Sequence, residues 1–83
     1  MTPLDLARLL ADLEENPNNV SFSDLEKLCE QYFGHPRING SHQIYRTPWA
    51  GDPRINIQNK NGKAKPYQVK QVVAAIRKLQ TTR

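Results

Sequence analysis

The sequence predicts an α+β domain in which helices lie over one side of a small antiparallel sheet. Three observations predict it. Apolar residues recur at helical spacing over residues 2–15, 22–33 and 66–80. Between the last two, residues 35–58 change to short strand-like runs separated by Asn39-Gly40 and by a loop rich in Pro and Gly. The 83 residues make one domain, whose thin core needs the helices packed against the sheet.

In the first helix, Leu6, Leu9, Leu10 and Leu13 form one stripe. Thr2 is placed to cap it, Pro3 suits its first turn, and Asp5 favours the positive end of its dipole. Asn16-Pro17-Asn18-Asn19 stops it. The second helix has Ser21 and Asp24 at capping-box spacing, a face of Phe22, Leu25, Leu28, Cys29 and Tyr32, and Gly34 as its C-cap. Three strands are expected next, at 35–39, 41–47 and 54–58, with Asn39-Gly40 as a two-residue hairpin turn. Residues 47–53 form a loop, and residues 59–65 form a polar, basic turn around Gly62. Pro66 opens the last helix, whose stripe is Val69, Val72, Val73, Ile76 and Leu79. From residue 22 onward the order helix, three strands, helix matches that of a double-stranded-RNA-binding domain, with residues 2–15 as an extra N-terminal helix.

Composition narrows the function. The net charge of +4 hides a division: residues 1–33 sum to −5 and residues 34–83 to +9. A basic back half suggests a polyanionic partner. A dinucleotide-binding doubly wound fold or a barrel enzyme is excluded on size. No apolar run is long enough to span a membrane, and no secretory signal is visible, so a cytoplasmic protein is expected. The single Cys29 excludes an internal disulfide and a multi-cysteine zinc site; on the apolar face of a helix it reads as a small core residue.

The candidate centre is Gly40-Ser41-His42. A histidine at a strand start after a hairpin glycine is partly exposed, and neutral imidazole is a general base. RNA supplies its own nucleophile, the 2′-hydroxyl, so one base and cations at the phosphate suffice, without metal or cofactor. The plain alternative is a rim histidine with no chemical role. His35 is a weaker candidate, either packed under the second helix or paired with His42 across the hairpin. Arg37, Arg46, Lys60, Lys63 and Lys65 cluster on the strands and the turn after them, and Lys70 follows on the last helix; together with Ser41 they form the expected RNA-binding set. Lys63 and Lys65 also precede a helix N-terminus, which favours anions. Tyr67 is a further candidate for orienting the strand. For Trp49 two roles stay open: stacking on an unpaired base, or capping the core from its loop.

The runs Phe33-Gly34-His35-Pro36-Arg37-Ile38-Asn39-Gly40-Ser41-His42-Gln43-Ile44-Tyr45, Ile55-Asn56-Ile57-Gln58 and Gly62-Lys63-Ala64-Lys65-Pro66-Tyr67-Gln68-Val69-Lys70-Gln71-Val72 resemble the HicA family, small toxins of bacterial type II toxin–antitoxin systems. The resemblance covers roughly residues 20–80. It implies a double-stranded-RNA-binding-domain-like fold and mRNA interferase activity, with His42 as the essential histidine. It also implies a HicB-type antitoxin as partner. Separately, the free protein is expected to be a monomer. Two departures stand out. Many members carry a second histidine directly after the first, where this chain has Gln43, which speaks against a scheme with two adjacent imidazoles. The helix over 2–15 lies outside the usual core, either as added core or as an acidic partner-binding face. The alternatives to an RNase are a non-catalytic RNA-binding module and a protein–protein adaptor that docks through the first helix.

Overall fold

The computed structural model describes residues 3–49 and 54–81. Helix α1 spans Pro3–Glu15 and α2 spans Phe22–Phe33. Four strands follow, β1 (Arg37–Asn39), β2 (His42–Tyr45), β3 (Ile55–Lys60) and β4 (Lys63–Ala64), and α3 spans Pro66–Thr81. The cap expected at Thr2 and residues 50–53 of the expected loop lie outside the described residues.

The helix signals translate into geometry. The Ser21 hydroxyl accepts the backbone N–H of Asp24 at 3.1 Å, so α2 begins where a side chain satisfies one of its orphan donors. Gly34, at φ 85°, sends its N–H back to the Glu30 carbonyl at 3.0 Å and ends the helix in a conformation that side chains resist. The stripes of all three helices enter one core: Leu10, Leu13, Leu25, Leu28, Val69, Val72 and Ile76 are buried with Tyr45, Ile55 and Ile57 of the sheet. The acidic front and the basic back of the chain therefore share that core.

The sheet is an antiparallel meander in the order β1-β2-β3-β4, and it has one strand more than the sequence suggested. Asn61 and Gly62, at φ 54° and 83°, form a two-residue turn with both central residues left-handed. That geometry matches the right-handed twist of the flanking strands and favours Asn-Gly. It pairs Lys60 with Lys63 and extends β3 through two residues expected in a turn. At two residues β4 is too short to alternate. It is held from its other edge as well: Ala64 N–H donates to the Val20 carbonyl at 3.0 Å, and Phe22 N–H donates to the Gly62 carbonyl at 2.9 Å. The first hairpin also differs from expectation. Its central residues are Gly40-Ser41, not Asn39-Gly40, with positive φ at Gly40 alone and Asn39 paired to His42. Glycine at the first central position is the other turn type that fits a tight hairpin.

Side-chain alternation then divides the sheet. Tyr45, Ile55, Ile57 and Ala64 are buried under the helices. Arg37, Asn39, His42, Ile44, Asn56, Gln58 and Lys60 fall on the opposite face by register, and no described element covers it. Among the described residues no helix is long and apolar enough to cross a membrane.

Candidate nucleic-acid interface

His42 opens β2 on the uncovered face, half-buried, opposite Asn39 on one side and Gln58 on the other. Its Nδ1 lies 2.9 Å from Oδ1 of Asn56, a diagonal neighbour on β3. A carboxamide oxygen only accepts, so Nδ1 carries the hydrogen and donates it. The lone pair then sits on Nε2, which no described residue bonds. Asn56 thus fixes both the ring orientation and the tautomer that makes imidazole a base. Beside it, Gln58 Nε2 donates to Ser41 Oγ at 3.1 Å, and Asn59 N–H donates to the Ser41 carbonyl at 3.4 Å. The Gly-Ser-His turn is therefore tied to β3 by polar side chains on the same face. Neither Asn56 nor Gln58 figured among the sequence candidates. The signal was present: in Ile55-Asn56-Ile57-Gln58, burying the two isoleucines turns the two amides outward.

The covered face supports this arrangement from beneath. The Tyr45 hydroxyl donates to Gln43 Oε1 at 2.8 Å, and Gln43 Nε2 donates to Glu26 Oε2 on α2 at 2.8 Å. Burial, then Cys29, Glu30 and Glu26, hold the Tyr45 hydroxyl well above its ordinary pKa, so it stays a donor. Gln43 points to the opposite side of the sheet from His42, so two adjacent imidazoles at these positions would not share a site. Gln68 is the buried polar residue of α3. Its Oε1 accepts Gln58 N–H at 2.8 Å, and its Nε2 donates to the exposed Tyr67 hydroxyl at 3.3 Å. That joins the start of α3 to the strand that positions His42. Cys29 is buried and free, and burial with Glu30 and Glu26 nearby pushes its thiol up to about 12, which denies it a thiolate near neutral pH.

The basic candidates separate into groups. Lys60 and Lys63 are direct cross-strand partners at the end of the sheet that holds His42. Like charges placed opposite each other destabilise a sheet, and a bound anion relieves them. Lys63 Nζ also donates to Asn19 Oδ1 at 3.2 Å. Lys65 is the residue before α3, its carbonyl accepting the N–H groups of Gln68 and Val69 at 3.0 Å. Arg37 and Arg46 lie toward the other end of the uncovered face, where Arg54, absent from the sequence candidates, joins them. Lys70 is not part of either group: it lines a hollow between α1 and α3 with Leu13, Glu14 and Arg77. His35 is exposed beside Arg37 and Arg46 rather than packed under α2. It precedes the register position of His42's partner Asn39 by four residues, roughly 13 Å of strand, so the two histidines do not pair. Trp49 packs on Phe33, a partly buried residue that itself lies against the core. Its ring meets Phe33 edge-on at 6.5 Å, and Lys78 Nζ stands 4.4 Å from its centroid.

The acids of the front half lie away from this face. Asp12, Glu15 and Asp24 border a groove between α1 and α2, and Glu14 pairs with Arg77 at 3.0 Å. The cations of residues 37–65 lie with the sheet, while Lys70, Arg77 and Lys78 belong to α3. Among the described residues no three His, Cys, Asp or Glu side chains are grouped to hold a metal ion. Comparison of the chain with protein-family models, with curated proteins and with solved structures gives no match.

Proposed function

We propose that the protein is a metal-independent endoribonuclease that cuts RNA on the uncovered face of its sheet, with His42 as general base. The observation that carries the reading is the hydrogen bond from His42 Nδ1 to Asn56, which leaves Nε2 as a proton acceptor beside a basic strand end. In the reaction Nε2 takes the proton of a ribose 2′-hydroxyl, and the oxygen attacks the adjacent phosphorus. The P–O5′ bond breaks. The departing oxygen takes a proton from solvent, to which this open face gives access. The products are a 2′,3′-cyclic phosphate and a 5′-hydroxyl end, and His42 returns its proton to water. Lys60 stands one strand over and two residues along from His42, within reach of the phosphate, and offsets its growing negative charge together with Lys63 and Lys65.

Helix, antiparallel sheet and helix in this order support a double-stranded-RNA-binding-domain-like classification. With the HicA resemblance, the reading extends to a cytoplasmic toxin that arrests growth by cleaving mRNA, acts as a monomer, and is neutralised by a HicB-type antitoxin. Helix α1 is added core in this reading, since Leu10 and Leu13 are buried against the rest of the chain.

The test is cleavage of labelled RNA by pure protein with EDTA present. His42→Ala should lose about 10²–10⁴-fold in rate with its melting temperature retained. Equal cleavage by His42→Ala removes the base, and loss of wild-type cleavage in EDTA removes the metal-free scheme. RNA that is bound in a salt-dependent way but left whole assigns the chain to non-catalytic RNA-binding modules. An adaptor would neither bind nor cut it.

A further inference from the structure

We infer that the uncovered face takes RNA as a single strand laid along β2, and that the groove around Ile44 holds a nucleotide other than the one being cut. This deepens the RNA reading above and rests on it. The groove is lined by His35, Pro36, Arg37, Ile44, Arg46 and Arg54. Three consecutive strand segments each bring one arginine to the same apolar side chain. Arg37 is the cross-strand partner of Ile44 on β1, and Arg46 lies two residues beyond Ile44 past the end of β2. Arg54 lies two residues before Asn56, the partner of Ile44 on β3.

The planar fork of a guanidinium group is shaped for phosphate oxygens, and three of them line one groove. The open groove offers about 430 Å³, room for more than a bare anion. Ile44 and Pro36 give the groove apolar lining beside the arginines, and such a surface gains by being covered with the face of a base. Only an unpaired base presents its face, because a duplex keeps its bases stacked inside and offers a sheet its phosphates. Position fixes which nucleotide is held. Arg46 lies four residues along the chain from His42, roughly 13 Å of extended strand. That exceeds the spacing of neighbouring phosphates, so Arg46 and Arg54 grip the strand beyond the scissile linkage, with Arg37 nearer to it, while Lys60, Lys63 and His42 address the linkage itself.

The experiment measures binding in the His42→Ala protein, which keeps the RNA whole. A labelled single-stranded decamer and a hairpin duplex of the same composition are titrated over a range of salt. The decamer should bind more tightly than the duplex. Changing Arg37, Arg46 and Arg54 together to Gln should weaken decamer binding by about tenfold or more and lower the salt slope by about 2, as expected for three lost phosphate contacts on a single strand. Changing the same three to Lys should restore most of the slope, and Arg46→Gln alone should lower it by about 0.7, so a misfolded triple variant does not decide the matter. Unchanged affinity and slope in folded Gln variants would overturn the groove, and tighter binding of the duplex would overturn the single strand. Failure of the RNA reading looks different: wild type cuts no RNA and His42→Ala binds neither probe.

Discussion

The two faces of the sheet are made from alternate residues of the same strands, yet they follow opposite rules. Toward the helices, Tyr45, Ile55, Ile57 and Ala64 are buried, and polar atoms such as those of Gln43 and Gln68 are matched by partners at hydrogen-bond distance. Toward the uncovered side, the same strands present His42, Asn56, Gln58, Lys60 and a convergence of arginines around Ile44. Like charges face each other there, and a ring nitrogen has no described partner. An arrangement that costs stability on one face, in a domain with little core to spare, points to a ligand that relieves it. The comparison also separates two kinds of residue that sequence neighbours hide. Ile57 holds the fold and Asn56 holds the base, although they adjoin in the chain.

Damage to the covered face should have the largest effect. Ile57 is fully buried, so Ile57→Ala should cost about 2–5 kcal/mol of unfolding free energy. In a chain of this size that lowers the melting temperature by roughly 4–8 °C per kcal/mol. Cleavage per folded molecule should stay at the wild-type level, and Ile57→Val should give a smaller loss of the same kind. Thermal melts and rates measured well below the midpoint check both. A rate that falls in step with the cavity would show that the two faces are not separable.

A smaller effect tests the uncovered face from within. Asn56 acts through His42, as a positioning residue, so Asn56→Ala should slow cleavage by about tenfold with little change in KM or stability. Asn56→Asp is the more telling variant. A carboxylate in place of the amide favours imidazolium, so the acidic limb of the pH–rate profile should move to higher pH. A purely structural Asn56 would leave that limb where it stands in wild type.

The same division explains what was legible beforehand. Helix stripes are strong signals, and the buried faces of α2 and α3 follow them residue by residue through Leu25, Leu28, Val69, Val72 and Ile76. The site was legible as a list of residue types, because a glycine-preceded histidine and a run of cations are visible in one dimension. Their grouping was not. It depends on register, which Tyr45, Ile55 and Ile57 set by entering the core. Arg54 and Asn56 belong beside Ile44 and His42 through pairings that no local pattern states, and Lys70 leaves the set because α3 turns it toward α1. The missed β4 had a local signal in Asn61-Gly62, but the turn and strand are also tied by backbone hydrogen bonds to Phe22 and Val20, about forty residues earlier in the chain.

The smallest expected effect concerns the part of the molecule farthest in role from the uncovered face. Arg77 on α3 grips Glu14 on α1 with two nitrogens, at 3.0 and 3.3 Å, and both side chains are half-exposed. The hydrogen bond from Arg77 holds the Glu14 carboxyl below its ordinary value of 4.5, opposed by desolvation and aided by the charge of Arg77. The folded protein therefore binds that proton less readily than the unfolded chain. The contribution to stability is present above pH 4.5 and is lost as pH falls through the lowered folded value. Arg77 stays charged throughout. Glu14→Gln should melt slightly below wild type at pH 7, and the gap should close in acid and narrow in high salt. RNA cleavage should not change. A gap that persists in acid would mean that the Glu14 stem packs on α3, whereas a gap that closes leaves Leu10 and Leu13 as what binds α1 to the core.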